Sequence, residues 1–215
     1  MINISDVTKK NITQSTSMQI DSGQHIVITG KNGTGKTTLI RMLAGVCIPD
    51  SGEISYAAET FKFPLNIISH GKLFKCIRKQ VFYAEGHSML YDSFTIDQNL
   101  IYYLGLDDYD TNGIRPLFEE LEINEPLQKP VNKLSLGSKQ KVVAVLALLS
   151  NKDILILDEP TLGMDNDTSK KFMQLLLKKE KTIIISTHEQ EFFQMFDKRY
   201  RFNDSNTISE VKINA

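Results

Sequence analysis

Tryptophan is absent from the 215 residues, cysteine occurs twice, and neither sign of charge prevails, with 25 Lys and Arg against 26 Asp and Glu. Cys47 and Cys76 are too few and too far apart for a disulfide framework or a cysteine-based zinc site, so both read as packing residues. A formal net charge of −1 creates no global field for a polyphosphate backbone, so nucleic acid is not an expected partner. The longest purely apolar run, residues 142–149, falls far short of the ~18–20 residues that a membrane-crossing helix needs. Met1-Ile2-Asn3-Ile4-Ser5-Asp6 shows neither the basic nor the apolar part of a secretory signal, and a cytoplasmic chain is expected. No internal repeat is visible, so a duplicated domain is not expected. No Phe, Tyr or Trp precedes Gly30.

What is present is ordinary globular material, 41% hydrophobic and 24% charged, enough for one domain with a good core. His25-Ile26-Val27-Ile28-Thr29 is a short β-branched run ending in a glycine-rich loop, and residues 37–43 read as a helix after it. Residues 153–157 and 182–186 are near-continuous apolar runs, the pattern of strands buried on both faces of a parallel sheet. Residues from about 97 to 150 read as mostly helical and predict a helical insertion, with Asp107-Asp108, Asn112-Gly113 and Lys129-Pro130 as punctuation. Lys170-Lys171 and Lys178-Lys179-Glu180-Lys181 bracket Leu175-Leu176-Leu177, which reads as an amphipathic helix with a solvated lysine face.

Gly30-Lys31-Asn32-Gly33-Thr34-Gly35-Lys36-Thr37 fits the phosphate-binding loop, and its place between a strand and a helix supplies the context that motif requires. Glycines let the backbone curl so that successive N–H groups point at phosphate oxygens, and the helix start adds partial positive charge. Gly30, Asn32, Gly33, Thr34, Gly35, Lys36, Thr37 and Thr38 are the expected phosphate-binding residues. Lys36 is expected to reach the β- and γ-phosphates of a bound nucleotide, and Thr37 to offer its hydroxyl to Mg²⁺. Leu155-Ile156-Leu157-Asp158-Glu159-Pro160-Thr161 places two adjacent carboxylates at the end of a buried strand, where open α/β sheets bind ligands. Asp158 is suited to hold Mg²⁺, directly or through water, and Glu159 to orient and deprotonate the water that attacks the γ-phosphate. A glycine-rich turn and a solvated acidic loop are the competing readings of the two segments, and each loses ground because the other is present.

Shortly before the acidic strand, Leu134-Ser135-Leu136-Gly137-Ser138-Lys139-Gln140-Lys141 resembles the signature motif of ABC ATPases, placed at the start of a helix read as residues 138–149. Leu162-Gly163-Met164-Asp165 is similar to the family's D-loop, and Ser186-Thr187-His188 to its H-loop. Leu43-Ala44-Gly45 and Pro49-Asp50-Ser51-Gly52-Glu53-Ile54 extend the resemblance over nearly the whole chain. It implies a P-loop NTPase fold, α/β with a mainly parallel sheet, an antiparallel β portion and an inserted helical subdomain. The chain is then a single nucleotide-binding domain, 1–215, with an α/β core of about 1–86 and 145–215 and a helical subdomain of about 87–144. It also implies ATP and Mg²⁺ as cofactors and Glu159 and His188 as catalytic residues, with Ser135, Leu136 and Gly137 facing the γ-phosphate held by a second cassette, identical or different. A separate integral membrane permease is the other implied partner, holding the chain to the inner face of the cell membrane. The permease would dock beside Phe82, Met89, Leu90 and Tyr91.

The sequence departs from the family at three places. The aromatic that stacks on adenine is missing, with Asn11 or Ile12 near its place. The Q-loop glutamine is missing, and Glu85, Gly86 and His87 stand there. Leu136 and Ser138 replace the commonest signature residues, a form that resembles bacitracin-resistance and lantibiotic-immunity exporters and so points toward export. An ABC ATPase of a soluble assembly, such as iron–sulfur cluster assembly, is the alternative. A GTPase or nucleotide kinase is disfavoured, because Asn132-Lys133-Leu134-Ser135 lacks the Asp that reads guanine.

Overall fold

The computed structural model describes residues 1–10, 13–105, 110–203 and 205–211. In chain order it forms β1 (Ile2–Lys9), β2 (Thr13–Ile20), β3 (His25–Thr29), α1 (Lys36–Leu43), β4 (Ser51–Tyr56), β5 (Glu59–Phe63), α2 (Ile67–Gln80) and β6 (Val81–Glu85). Then follow α3 (Ile96–Leu104), α4 (Thr111–Glu120), α5 (Leu136–Leu149), β7 (Ile154–Asp158), α6 (Asn166–Leu177), β8 (Thr182–Ser186), β9 (Lys198–Phe202) and β10 (Ile208–Val211). The chain divides into two compact units. The first holds Met1–Tyr83, Lys152–Asp158 and Glu180–Ala215, and the second Ala84–Asn151 and Glu159–Lys179.

In the first unit one sheet runs in the order β2-β1-β4-β5, all antiparallel, and the other in the order β10-β9-β3-β8-β7-β6. Strands β9, β3, β8 and β7 are mutually parallel, while β10 returns antiparallel at the edge. The parallel strands are buried as their sequences predict, with every residue of β7 and β8 buried. The antiparallel strands alternate instead: Ile2 and Ile4 of β1, Ile54 and Tyr56 of β4, and Phe61 and Phe63 of β5 point into one core with Leu39, Ile40 and Leu43 of α1. Helix α2 has no counterpart among the sequence expectations. Asn66 caps it by accepting from the Ser69 N–H at 2.8 Å, and Leu73, Cys76 and Ile77 form its buried stripe. Cys76 is thus a packing residue, and Cys47 lies partly buried against the same core.

In the second unit α5 is buried nearly all round, from Val142 to Leu148, which marks it as the central helix. It begins at Leu136, two residues ahead of the sequence expectation, because the Ser135 side chain caps it. Helix α3 starts with a reciprocal box, in which Thr95 Oγ1 accepts from the Gln98 N–H and Gln98 Oε1 accepts from the Thr95 N–H. The lysine-flanked helix is α6, which buries Phe172, Met173 and Leu176, while Lys171 pairs with Glu122 at 2.7 Å.

Candidate functional site

Strand β3 ends at Thr29, and Gly30 leaves it with φ +146°. A side chain there would lie 3.0 Å from Phe202 Cβ and 3.0 Å from Thr34 Oγ1, so the loop can turn this close to β9 only as glycine. Asn32 and Gly33 are exposed in the loop, and buried Thr34 closes it by donating to the Lys31 carbonyl at 2.8 Å. Gly35, with φ +106°, precedes α1 and supplies no side-chain cap. The first-turn N–H groups of Lys36, Thr37 and Thr38 therefore stay available to an anion, where the helix dipole favours one. The buried Lys36 ammonium donates to the carbonyls of Gly30 at 2.8 Å and Lys31 at 2.9 Å, which braces the loop around its own cation.

Asp158, the last residue of β7, is 6% exposed. Its Oδ2 accepts from Thr37 Oγ1 at 2.7 Å, and its Oδ1 from the hydroxyl of Ser186, the last residue of β8. Ser186 belongs to the H-loop-like stretch Ser186-Thr187-His188, in which only His188 carried an expected role; its hydroxyl on Asp158 makes it a site residue as well. Thr187 is held to β3 through its N–H on the Ile28 carbonyl, and His188 next lines a cleft with Thr29, Gly30 and Lys31. The fold thus gathers Gly30 to Thr38, Asp158 and His188 in one unit, at the C-terminal ends of parallel strands.

Glu159 follows Asp158 with φ +48°, a left-handed conformation that a side-chain-bearing residue rarely holds and that costs on the order of 1–3 kcal/mol. The chain then turns through Pro160 and Thr161. Gln140 of α5, only 2% exposed, donates to the Pro160 carbonyl at 2.8 Å. Gln140 lies in the signature-like stretch, where its place between Lys139 and Lys141 gives no sign in the sequence that its amide is buried.

Ser135 caps α5 by accepting from the Ser138 N–H at 3.1 Å, and it also donates to Ser138 Oγ at 2.9 Å. Ser138 in turn donates to Glu125 Oε1 at 2.6 Å. Leu136 is half exposed. Gly137 is required sterically, since a Cβ there would come within 2.5 Å of the Gly163 carbonyl oxygen. Asp165 caps α6, accepting from the Thr168 N–H at 2.9 Å and its hydroxyl at 2.8 Å, with Lys141 at 3.4 Å. Those two Thr168 hydrogen bonds, with a smaller effect of Lys141, outweigh burial and hold the Asp165 carboxyl down at about 2.

At the place of the missing glutamine, Glu85 ends β6 partly buried, and Gly86 and His87 open a short 3₁₀ turn, Gly86–Met89. Beyond it Tyr91, Phe94, Tyr102 and Tyr103 cluster, Tyr91 and Tyr102 meeting edge-on at 4.9 Å with their hydroxyls 3.1 Å apart. Tyr91 is 43% and Tyr102 57% exposed, whereas Leu90, expected on the same surface, is buried. Asn11 and Ile12 lie outside the described residues.

A parallel α/β sheet whose phosphate loop runs from β3 into α1, with Asp158 facing Thr37, defines a P-loop nucleotide-binding protein. A family model described as ABC transporter matches residues 13–162. The chain is 32% identical over 198 residues to the ABC transporter ATP-binding protein NatA of Bacillus subtilis (strain 168), covering 86% of this chain and 76% of that one. It is also 32% identical over 188 residues to the cytochrome c biogenesis ATP-binding export protein CcmA of Reclinomonas americana, covering 84% and 80%. The fold matches that of a dimeric ATP-binding cassette solved in a post-hydrolysis state bound to ADP and Pi, with a TM-score of 0.82, 23% identity and all of both chains covered. This chain belongs to the ABC transporter family.

Proposed function

We infer that the chain is the ATP-binding and ATP-hydrolysing subunit of an ABC transporter, working as one nucleotide-binding domain. One observation carries this: the Thr37 hydroxyl sits on Asp158 Oδ2 at 2.7 Å beside an uncapped helix start and the buried Lys36. The N–H groups of the loop bind the triphosphate, and Lys36 exchanges its loop carbonyls for phosphate oxygens. Thr37 and Asp158 present hard oxygen donors that fit Mg²⁺. Mg²⁺ takes most of its ligands from phosphate and water and needs only one or two from the protein. When bound, the ion neutralises charge on the β- and γ-phosphate oxygens.

Glu159 accepts a proton from the water that attacks the γ-phosphorus, and the bond to the β-phosphate oxygen breaks to leave ADP and phosphate. His188 contacts the γ-phosphate and fixes this geometry. Ser135, Leu136 and Gly137 act on the nucleotide of a second cassette, so turnover needs a pair. Among the described residues no helix is long and apolar enough to cross a membrane. A separate permease chain, held at the exposed Tyr91 and Tyr102, tethers the subunit to the cytoplasmic face, and export is the direction we assign. Steady-state ATP hydrolysis by the purified chain tests the core of this reading: Lys36→Ala should lose turnover and Mg²⁺-dependent ATP binding, and wild-type turnover in that variant refutes it.

A further inference from the structure

Strand β9 is hydrogen-bonded on both sides, to β3 and to β10, and a strand so placed ordinarily carries apolar residues on both faces. Tyr200 and Phe202 meet that rule on the core face. On the other face stand Arg199 and Arg201, in register with Val27 and Thr29 of β3. Arg199 is partly covered by the short 3₁₀ turn Gln190–Met195, whose Phe193 ring centroid lies 5.4 Å from its guanidinium carbon, while Arg201 is exposed. Arg199 Nε is buried and has no hydrogen-bond partner. A buried guanidinium N–H is costly to leave unpaired, and such an orphan calls for a ligand or ordered water. Both arginines line the cleft of about 370 Å³ that also takes in Gly30 and Lys31 of the phosphate loop and His188.

We propose that this cleft is a second anion site, which takes inorganic phosphate beside the nucleotide. The planar fork of a guanidinium matches two oxygens of a tetrahedral oxyanion, and Phe193 fixes the plane of Arg199. The site opens on Gly30, at the root of the loop that cradles the nucleotide phosphates, so phosphate cleaved from ATP is released beside it. This source of phosphate rests on the ATP-hydrolysis reading above; the anion site itself does not.

The test titrates inorganic phosphate calorimetrically into the whole chain saturated with ADP and Mg²⁺, so that only the γ-phosphate position of the loop is left open, and dependence on the two arginines separates the cleft from that position. The expected result is one phosphate per chain, bound at least tenfold more weakly by Arg199→Gln and by Arg201→Gln. Arg201→Lys should fall between, since it keeps the charge and loses the fork. ADP affinity, titrated separately, should stay within about twofold in all three. Arg199 is partly buried, so its variant counts only if its melting temperature matches wild type; exposed Arg201 carries the test otherwise. Phosphate affinity unchanged by the Arg201 substitutions, or no phosphate bound to the ADP-loaded chain, overturns the proposal. Failure of the wild type to bind ADP overturns the nucleotide reading instead, and phosphate titrated into the nucleotide-free chain then decides the cleft by its dependence on Arg201.

Discussion

Gln140 Nε2 donates to the carbonyl of Pro160 at 2.8 Å, twenty residues along the chain and out of reach of water. The bond ties α5, whose first turn carries Ser135 and Gly137, to the turn that begins at Glu159. The Gly163 carbonyl packed against Gly137 makes a second tie between the same two segments. A shift of the helix start is therefore felt at the acidic turn.

Replacing Gln140 by Met keeps volume and leaves the Pro160 carbonyl unpaired in a dry site. The expected loss is about 1–3 kcal/mol of stability. Urea unfolding measures it, and an unchanged midpoint shows that the carbonyl finds another donor.

Glu159→Gln should abolish hydrolysis and retain ATP and Mg²⁺ binding, because it removes the proton acceptor while keeping shape and the neighbouring Asp158. Bound ATP should then accumulate a stable dimer, visible by size-exclusion chromatography. Glu159→Gly should lose hydrolysis equally but relieve the φ +48° strain, so its melting temperature should not fall. Wild-type turnover in the Gln variant removes Glu159 from the mechanism.

Asp165 is held at about 2, below the ordinary carboxylate value of ~3.9. A folded-state pKa below the unfolded one contributes stability that is complete above ~4 and is lost as the pH falls toward 2. Asn at this position still caps α6 but cannot titrate. Between pH 5 and pH 2.5 the wild-type urea midpoint should therefore fall further than that of Asp165→Asn, and parallel midpoints would contradict the assignment.

Without an aromatic ahead of Gly30, the base lacks a stacking contact of roughly 1–3 kcal/mol. GTP should compete with ATP within about tenfold. A preference for adenine in the order of hundreds-fold means that another side chain supplies the platform.

The paired tyrosines give the proposed permease interface a local test. Tyr102→Glu places a charge on the exposed aromatic surface, and it should leave ADP binding intact while reducing recovery of the chain with membranes. Wild-type protein found wholly outside the membrane fraction of its native cell speaks against a permease partner.

Features carried by contiguous residues were legible without the fold. The glycines that curl Gly30 to Gly35, the apolar runs that became β3, β7 and β8, and the amphipathic pattern of α6 each act over a few residues, and their geometry follows from local sterics and periodicity. Helix α2 was equally local and still missed, because its stripe of Leu73, Cys76 and Ile77 is short and its first turn exposes Ile67 and Ile68. The rest depends on segments that meet only in the folded chain. Thr37 and Asp158 lie 121 positions apart, and Ser186 reaches the same carboxylate from a third segment. Gly137 was legible as part of a motif, but the reason that it must be glycine is the Gly163 carbonyl beside it. The place of Arg199 and Arg201 on an inner strand follows from β9 lying between β10 and β3. Which strands neighbour one another is set by burial summed over the whole core, a long-range quantity that no local stretch of residues encodes.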